Sequence, residues 1–198
     1  MYLKLIALLI ILLFLLNYKS RNEKFEEILN IYNEPLKKCA ENNMSNGSWD
    51  SEGKCSEKDG GVHQICIKNI ANTAQGFSEK TGQSNWSNNR GDNNHCVCLG
   101  AWSLYNAKDK EVRDKKILKC NAIPKIALSK NYVSKFSEGW NKWNGLELNN
   151  QIKDGVESLV KNCYNKNTSS GEQLRKNYCY FSKGVKVLKD SVLFSELC

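Results

Sequence analysis

The chain opens on an apolar run. Nothing polar interrupts Leu5 to Leu16, and from Met1 to Tyr18 the strongly polar residues are Lys4 and Asn17. A membrane-spanning helix needs roughly 20 apolar residues. The stretch reaches that length when Lys4 extends its ammonium to the interface and Tyr2 and Tyr18 sit at headgroup level. A cleaved secretory signal would end in a small-x-small site, whereas this run ends Phe14-Leu15-Leu16-Asn17-Tyr18-Lys19-Ser20. Residues 1–18, with Leu5 and Leu16 bounding the uninterrupted run, are therefore expected to form one membrane anchor whose partner is the lipid bilayer. Residues 19–35 are expected to form a helical linker, because Phe25, Ile28, Leu29 and Tyr32 recur at helical spacing before Pro35.

Beyond the linker the pattern changes. Cys39 to Gly61 is rich in Gly, Asn, Ser and Asp and reads as loop, with Trp49 as its anchor into a core. Val62–Ile70 alternates and predicts a strand. Ala71–Lys80 predicts a short helix, and Thr81–Asn94 a long polar loop. His95–Trp102 predicts a second strand. A third is expected within Lys116–Lys130, with Ile126 and Leu128 on one face. Gln151–Cys163 places Ile152, Val156, Leu159 and Val160 on one side of a helix. The tail reads as a strand followed by a short helix. The expected fold is α+β, a small, mostly antiparallel sheet with flanking helices, preceded by one N-terminal transmembrane helix. A cysteine-rich domain covers 36–150 and a helical and strand extension covers 151–198.

Composition adds compartment and partners. The formal charge is +8, but the basic residues of Ala107–Lys119 and Leu174–Asp190 are interleaved with acids. That favours a solvated face over attraction to anionic headgroups. No recognition motif accompanies the charge, so no specific nucleic acid is expected. Lys19, Arg21 and Lys24 barely outweigh the amino group and Lys4 across the anchor, which leaves topology undecided by charge. Nine cysteines, all after the anchor, favour the oxidising side of a membrane for a single-pass protein. An odd number leaves one thiol over, and Cys198 is the simplest candidate. The Asn-x-Ser sequons at Asn43, Asn46, Asn85 and Asn167 carry little weight in so asparagine-rich a chain. The Asn, Lys and Ile content fits an AT-rich genome, such as that of a large DNA virus or a protist.

An ordered set of short segments then stands out: "EPLKKC" (Glu34–Cys39), "GKC" ending at Cys55, "DGGVHQIC" (Asp59–Cys66), "GDNNHCVCLGAW" (Gly91–Trp102) and "AIPKIALSKNYVSKF" (Ala122–Phe136). Over roughly residues 30–150 the chain resembles a family of small bacterial proteins catalogued as domain of unknown function 2237. Asn94 or His95 stands where that family has Trp before Cys-x-Cys. The anchor is additional, and the extension from Gln151 has no counterpart. The resemblance implies a mixed α+β fold and no reaction.

On a strand, Cys96 and Cys98 project to the same side, about 6.6 Å apart, while His95 and Val97 face the other. A disulfide between them lies near the geometric limit, so each is better placed to bridge a different neighbour. The resemblance implies Cys39, Cys55 and Cys66 as the partners, because it carries all five. The disulfide candidates are Cys39, Cys55, Cys66, Cys96, Cys98, Cys120, Cys163 and Cys179. A metal site of His63, Cys66, Cys96 and Cys98 is the weaker alternative, since the paired C-x₂₋₄-C and H-x₃₋₅-H spacings are missing. A redox pair at Cys96 and Cys98 would lack the helix N-terminus that activates such thiols. No catalytic residue and no cofactor can be assigned, and no phosphate-binding glycine loop is present. Arg90-Gly91-Asp92 reads as a turn into a strand rather than an adhesion signal. The expected function is a membrane-anchored, cysteine-rich structural or interaction domain, in contact with another protein and of viral membrane type. An anchored thiol–disulfide or metal-dependent enzyme using Cys96 and Cys98 is the alternative.

Overall fold

The structure, a computed structural model, describes residues 27–40, 49–55, 62–111, 115–139, 142–143, 146–147 and 149–198. The apolar run lies outside them, as does the first half of the linker, residues 19–26. No helix among the described residues is long and apolar enough to cross a membrane.

Two short strands start the fold. β1 (Ile65–Ile67) and β2 (His95–Val97) pair antiparallel, with Ile65 opposite Val97, Cys66 opposite Cys96 and Ile67 opposite His95. Between them lie α1 (Ile70–Thr73), α2 (Phe77–Lys80) and a 3-10 turn at Ser87–Arg90. After β2 come α3 (Leu99–Lys108) and 3-10 turns at Cys120–Ala122 and Lys125–Leu128. α4 (Lys130–Ser134) runs into a wide turn at Lys135–Gly139. A small hairpin follows, β3 (Lys142–Trp143) with β4 (Leu146–Glu147). The chain ends in α5 (Asn149–Cys163), α6 (Ser169–Ser182), α7 (Lys186–Lys189) and α8 (Val192–Leu197). The fold is α+β, with a two-stranded antiparallel sheet and helices.

Four expectations are corrected. The second strand stops at Val97, because Cys98 caps a helix: its sulfur accepts the Ala101 N–H at 3.4 Å, and the Leu99 N–H donates to the Tyr132 hydroxyl at 3.1 Å. Eight of the ten residues of α3 are buried, so the segment has no polar face to reveal its period. The third strand reduces to two isolated bridges, Ile67 with Leu118 and Asn30 with Pro124. Leu128 is buried there while Ile126 is half exposed, so the two do not share a face. The described end of the linker is a tight turn rather than a helix. Asn30 Oδ1 accepts the N–H groups of Tyr32 and Glu34, Asn33 takes a left-handed conformation, and Leu36 N–H donates back to Ile28. The tail strand is replaced by α7 and α8.

The amphipathic helix is where its pattern put it. Ile152, Val156, Leu159 and Val160 of α5 are fully buried, and α5 packs along α3. Gly155 makes that approach possible. A Cβ there would overlap Ser103 Oγ and lie 2.9 Å from its Cβ, while Trp102 Nε1 donates to the Gly155 carbonyl at 2.9 Å. Ser158 Oγ donates to Asn106 Oδ1, and Asn162 Oδ1 accepts the Ile117 N–H, whereas the Ser103 hydroxyl, which faces Gly155, is buried without a hydrogen-bond partner. Asn177 Nδ2 donates to the Ile31 carbonyl, and the Tyr32 hydroxyl to that of Cys163. The C-terminal helices therefore share one core with the cysteine-rich part.

Disulfides close the rest: Cys39–Cys66, Cys55–Cys96, Cys120–Cys163 and Cys179–Cys198. The first two interleave along the chain.

Gly155→Ala is expected to cost about 2 kcal/mol by overpacking, read as a lowered urea midpoint. Adding Ser103→Gly should return part of that loss, because the overlapping hydroxyl is gone. In a chain-entropy account, Cys120→Ala/Cys163→Ala should cost about 4 kcal/mol and Cys179→Ala/Cys198→Ala about 3 kcal/mol. Their bridges span 43 and 19 residues respectively, and equal losses would contradict that ordering.

Candidate functional site

The end of β2, the start of α3, and α2 with its following turn enclose a cavity of about 240 Å³. Local chemistry holds its walls. Ser78 and Ser87 are both buried and join α2 to the 3-10 turn: each backbone N–H donates to the other's hydroxyl, and the hydroxyls lie 2.9 Å apart. Trp86 is thereby fixed over the cavity. Its Nε1 donates to Gln83 Oε1 at 3.0 Å, and its ring meets Phe77 edge-on. The Arg90 guanidinium stacks over the Trp86 ring, 5.4 Å from its centroid. Phe77, His95, Val97, Cys98 and Ala101 are buried along the floor, whereas His63, Gln83, Trp86 and Arg90 are half exposed at the rim.

His95 carries the unusual electrostatics. It is 3% exposed, its ring lies 4.4 Å from that of Trp86, and its Nδ1 has no hydrogen-bond partner. Burial, then the charge of Arg90, then His63 lower its imidazole from the ordinary 6.5 to about 3. The ring is thus held neutral among residues of mixed polarity that line the cavity.

The sulfur positions decide between the readings of Cys96 and Cys98. Cys96 bonds to Cys55, one of the implied partners. Cys39 and Cys66, expected to serve the other cysteine of the strand, bond to each other. Cys98, expected in a disulfide, keeps its thiol in the buried floor of the cavity. Cys198, expected to be left over, closes on Cys179. The physical reason is that Cys98 no longer belongs to the strand, so its sulfur turns to the helix it caps. Cys120–Cys163 and the use of Cys179 agree with their candidacy.

The metal set of His63, Cys66, Cys96 and Cys98 is overturned, since Cys66 and Cys96 spend their sulfurs in two different disulfides. The sulfurs of Cys39, Cys55 and Cys66 do lie within 4.8 Å of one another, but all three are covalently bonded and offer no thiolate. They record two disulfides in contact. The Cys96/Cys98 redox pair is likewise dissolved. Arg90-Gly91-Asp92 is a turn: Gly91 has φ +55°, and the Asp92 carboxylate accepts from Asn72 and Asn69 side chains at 2.9 and 3.3 Å.

Trp86, Gln83 and Phe77 were missed as cavity residues. A tryptophan inside a polar loop was the available signal, because such a large ring seldom stays in water.

The fold and its sulfurs define a class, a cysteine-rich α+β domain braced by disulfides. No family model, no curated protein and no solved structure matches the chain.

His95 makes a pH prediction. Its folded pKa lies below the unfolded value, so its contribution is whole above about pH 6.5 and is lost as pH falls toward 3. Between pH 6.5 and pH 5 the unfolding free energy should drop by roughly 1.5 kcal/mol from this group. His95→Asn should flatten that part of a urea-denaturation series, and an unchanged slope would show that His95 is protonated in the fold.

Proposed function

We propose that this chain is a membrane-anchored structural or interaction domain, held by its N-terminal apolar helix on the oxidising side of a membrane. The observation that carries the reading is the set of four disulfides, two of them interleaved through one hairpin. Such bonds persist where glutathione and thioredoxin do not reduce them. The anchor reading is supported by the uninterrupted run from Leu5 to Leu16. Its partners are the bilayer and another protein. Kinship with domain of unknown function 2237 belongs to the same proposal, supported by the ordered segments that include Cys39, Cys55, Cys66 and Cys96. A viral-membrane setting rests on composition.

The test is a cysteine-state map on native membranes, with alkylation before denaturation and non-reducing peptide mass spectrometry after it. The four linkages should appear in full, and the protein should resist extraction by alkaline carbonate. Titratable Cys39, Cys55, Cys66 and Cys96 in the folded protein would end the reading. Release by carbonate would end its membrane part.

A further inference from the structure

We propose that the cavity over Cys98 is a capture site for small disulfides that bear a carboxylate, which it takes up as a mixed disulfide. Three independent features meet there. The first is the sulfur. Cys98 Sγ sits at the N-cap of a ten-residue helix and accepts the Ala101 N–H. Backbone N–H groups at a helix start stabilise negative charge, and thiolate is the attacking form of cysteine. The second is His95, which lines the cavity and whose buried Nδ1 has no hydrogen-bond partner. A buried polar atom left that way is costly, and an occupant with a donor or acceptor would relieve the cost. The third is the rim. The Arg90 guanidinium lies over the Trp86 ring and lines the cavity together with Phe77 and Trp86. A ligand suited to these walls has an anionic end for Arg90, a short apolar arm for the rings and an electrophilic sulfur for Cys98. About 240 Å³ is about eight water-sized volumes, enough for one arm of such a disulfide.

The step balances without an outside oxidant. The Cys98 thiol gives up its proton, and its sulfur attacks one sulfur of R–S–S–R. The S–S bond of the ligand breaks, Cys98–S–S–R forms, and the departing R–S⁻ takes up a proton. The structural disulfides are bystanders. The competing role for Cys98 is that of a helix cap alone, with a sulfur no ligand reaches.

The experiment uses the full chain in detergent micelles, with 3,3′-dithiodipropionate as the probe and cystamine as its positively charged counterpart. Each rate is divided by that of the same reagent with N-acetylcysteine. Intact-mass measurement and peptide mapping should show one adduct, on Cys98. The normalised preference for the diacid should be about tenfold at low salt. It should narrow at high salt and fall to about twofold in Arg90→Gln. Cys98→Ser, which preserves a capping oxygen, should take up nothing. Modification of Cys98 only after denaturation would overturn the proposal. So would a diacid preference that Arg90→Gln leaves intact.

Discussion

Cys66 and Cys96 face each other across a ladder only three residues long, yet they do not bond to each other. Each sulfur turns to a cysteine of the preceding segment, Cys39 and Cys55. A two-stranded ladder of this length is marginal in water. What holds it is the pair of interleaved closures, which remove the freedom of the loop from Cys39 to Cys55 in the unfolded chain. With the hairpin fixed, the next residues have little choice. His95 is set against Trp86, and Cys98 is delivered to the point where the strand ends and a helix begins.

The second support is apolar and close-packed. α3 is buried nearly all round, and α5 lies against it closely enough that Gly155 must be glycine. Hydrogen bonds inside that contact, from Trp102 and Ser158, leave few polar atoms stranded. Because the Tyr132 hydroxyl accepts from Leu99 and donates to Val62, the start of α3 is also tied to the approach to β1. The cavity sits between these two supports. Its floor belongs to the rigid parts, and its rim is the Ser87–Arg90 turn pinned by the buried Ser78–Ser87 pair.

Some of this was legible in the residues. The α5 helix declared itself through Ile152, Val156, Leu159 and Val160, because one polar face and one apolar face at a 3.6 period are a local property. The Val62–Ile70 and His95–Trp102 segments do each hold a strand, but only over Ile65–Ile67 and His95–Val97. Leu99–Lys108 was not legible as a helix, since burial on every side erases the contrast that periodicity needs. The Ile126 and Leu128 alternation misled for the complementary reason: on a 3-10 turn, two residues apart no longer means the same face.

By itself the chain's sequence determined that disulfides would brace an α+β body with one cysteine left over, and that an amphipathic helix would cover it near residue 155. Only the tertiary structure decided which sulfur stays a thiol. Disulfide partners are selected by distance through space and by the direction of each Cβ, and spacing along the chain records neither. Cys98 differs from Cys96 by two positions, yet one lies in a ladder and bonds to Cys55 while the other lies at a helix start, because a single cap turns the backbone between them.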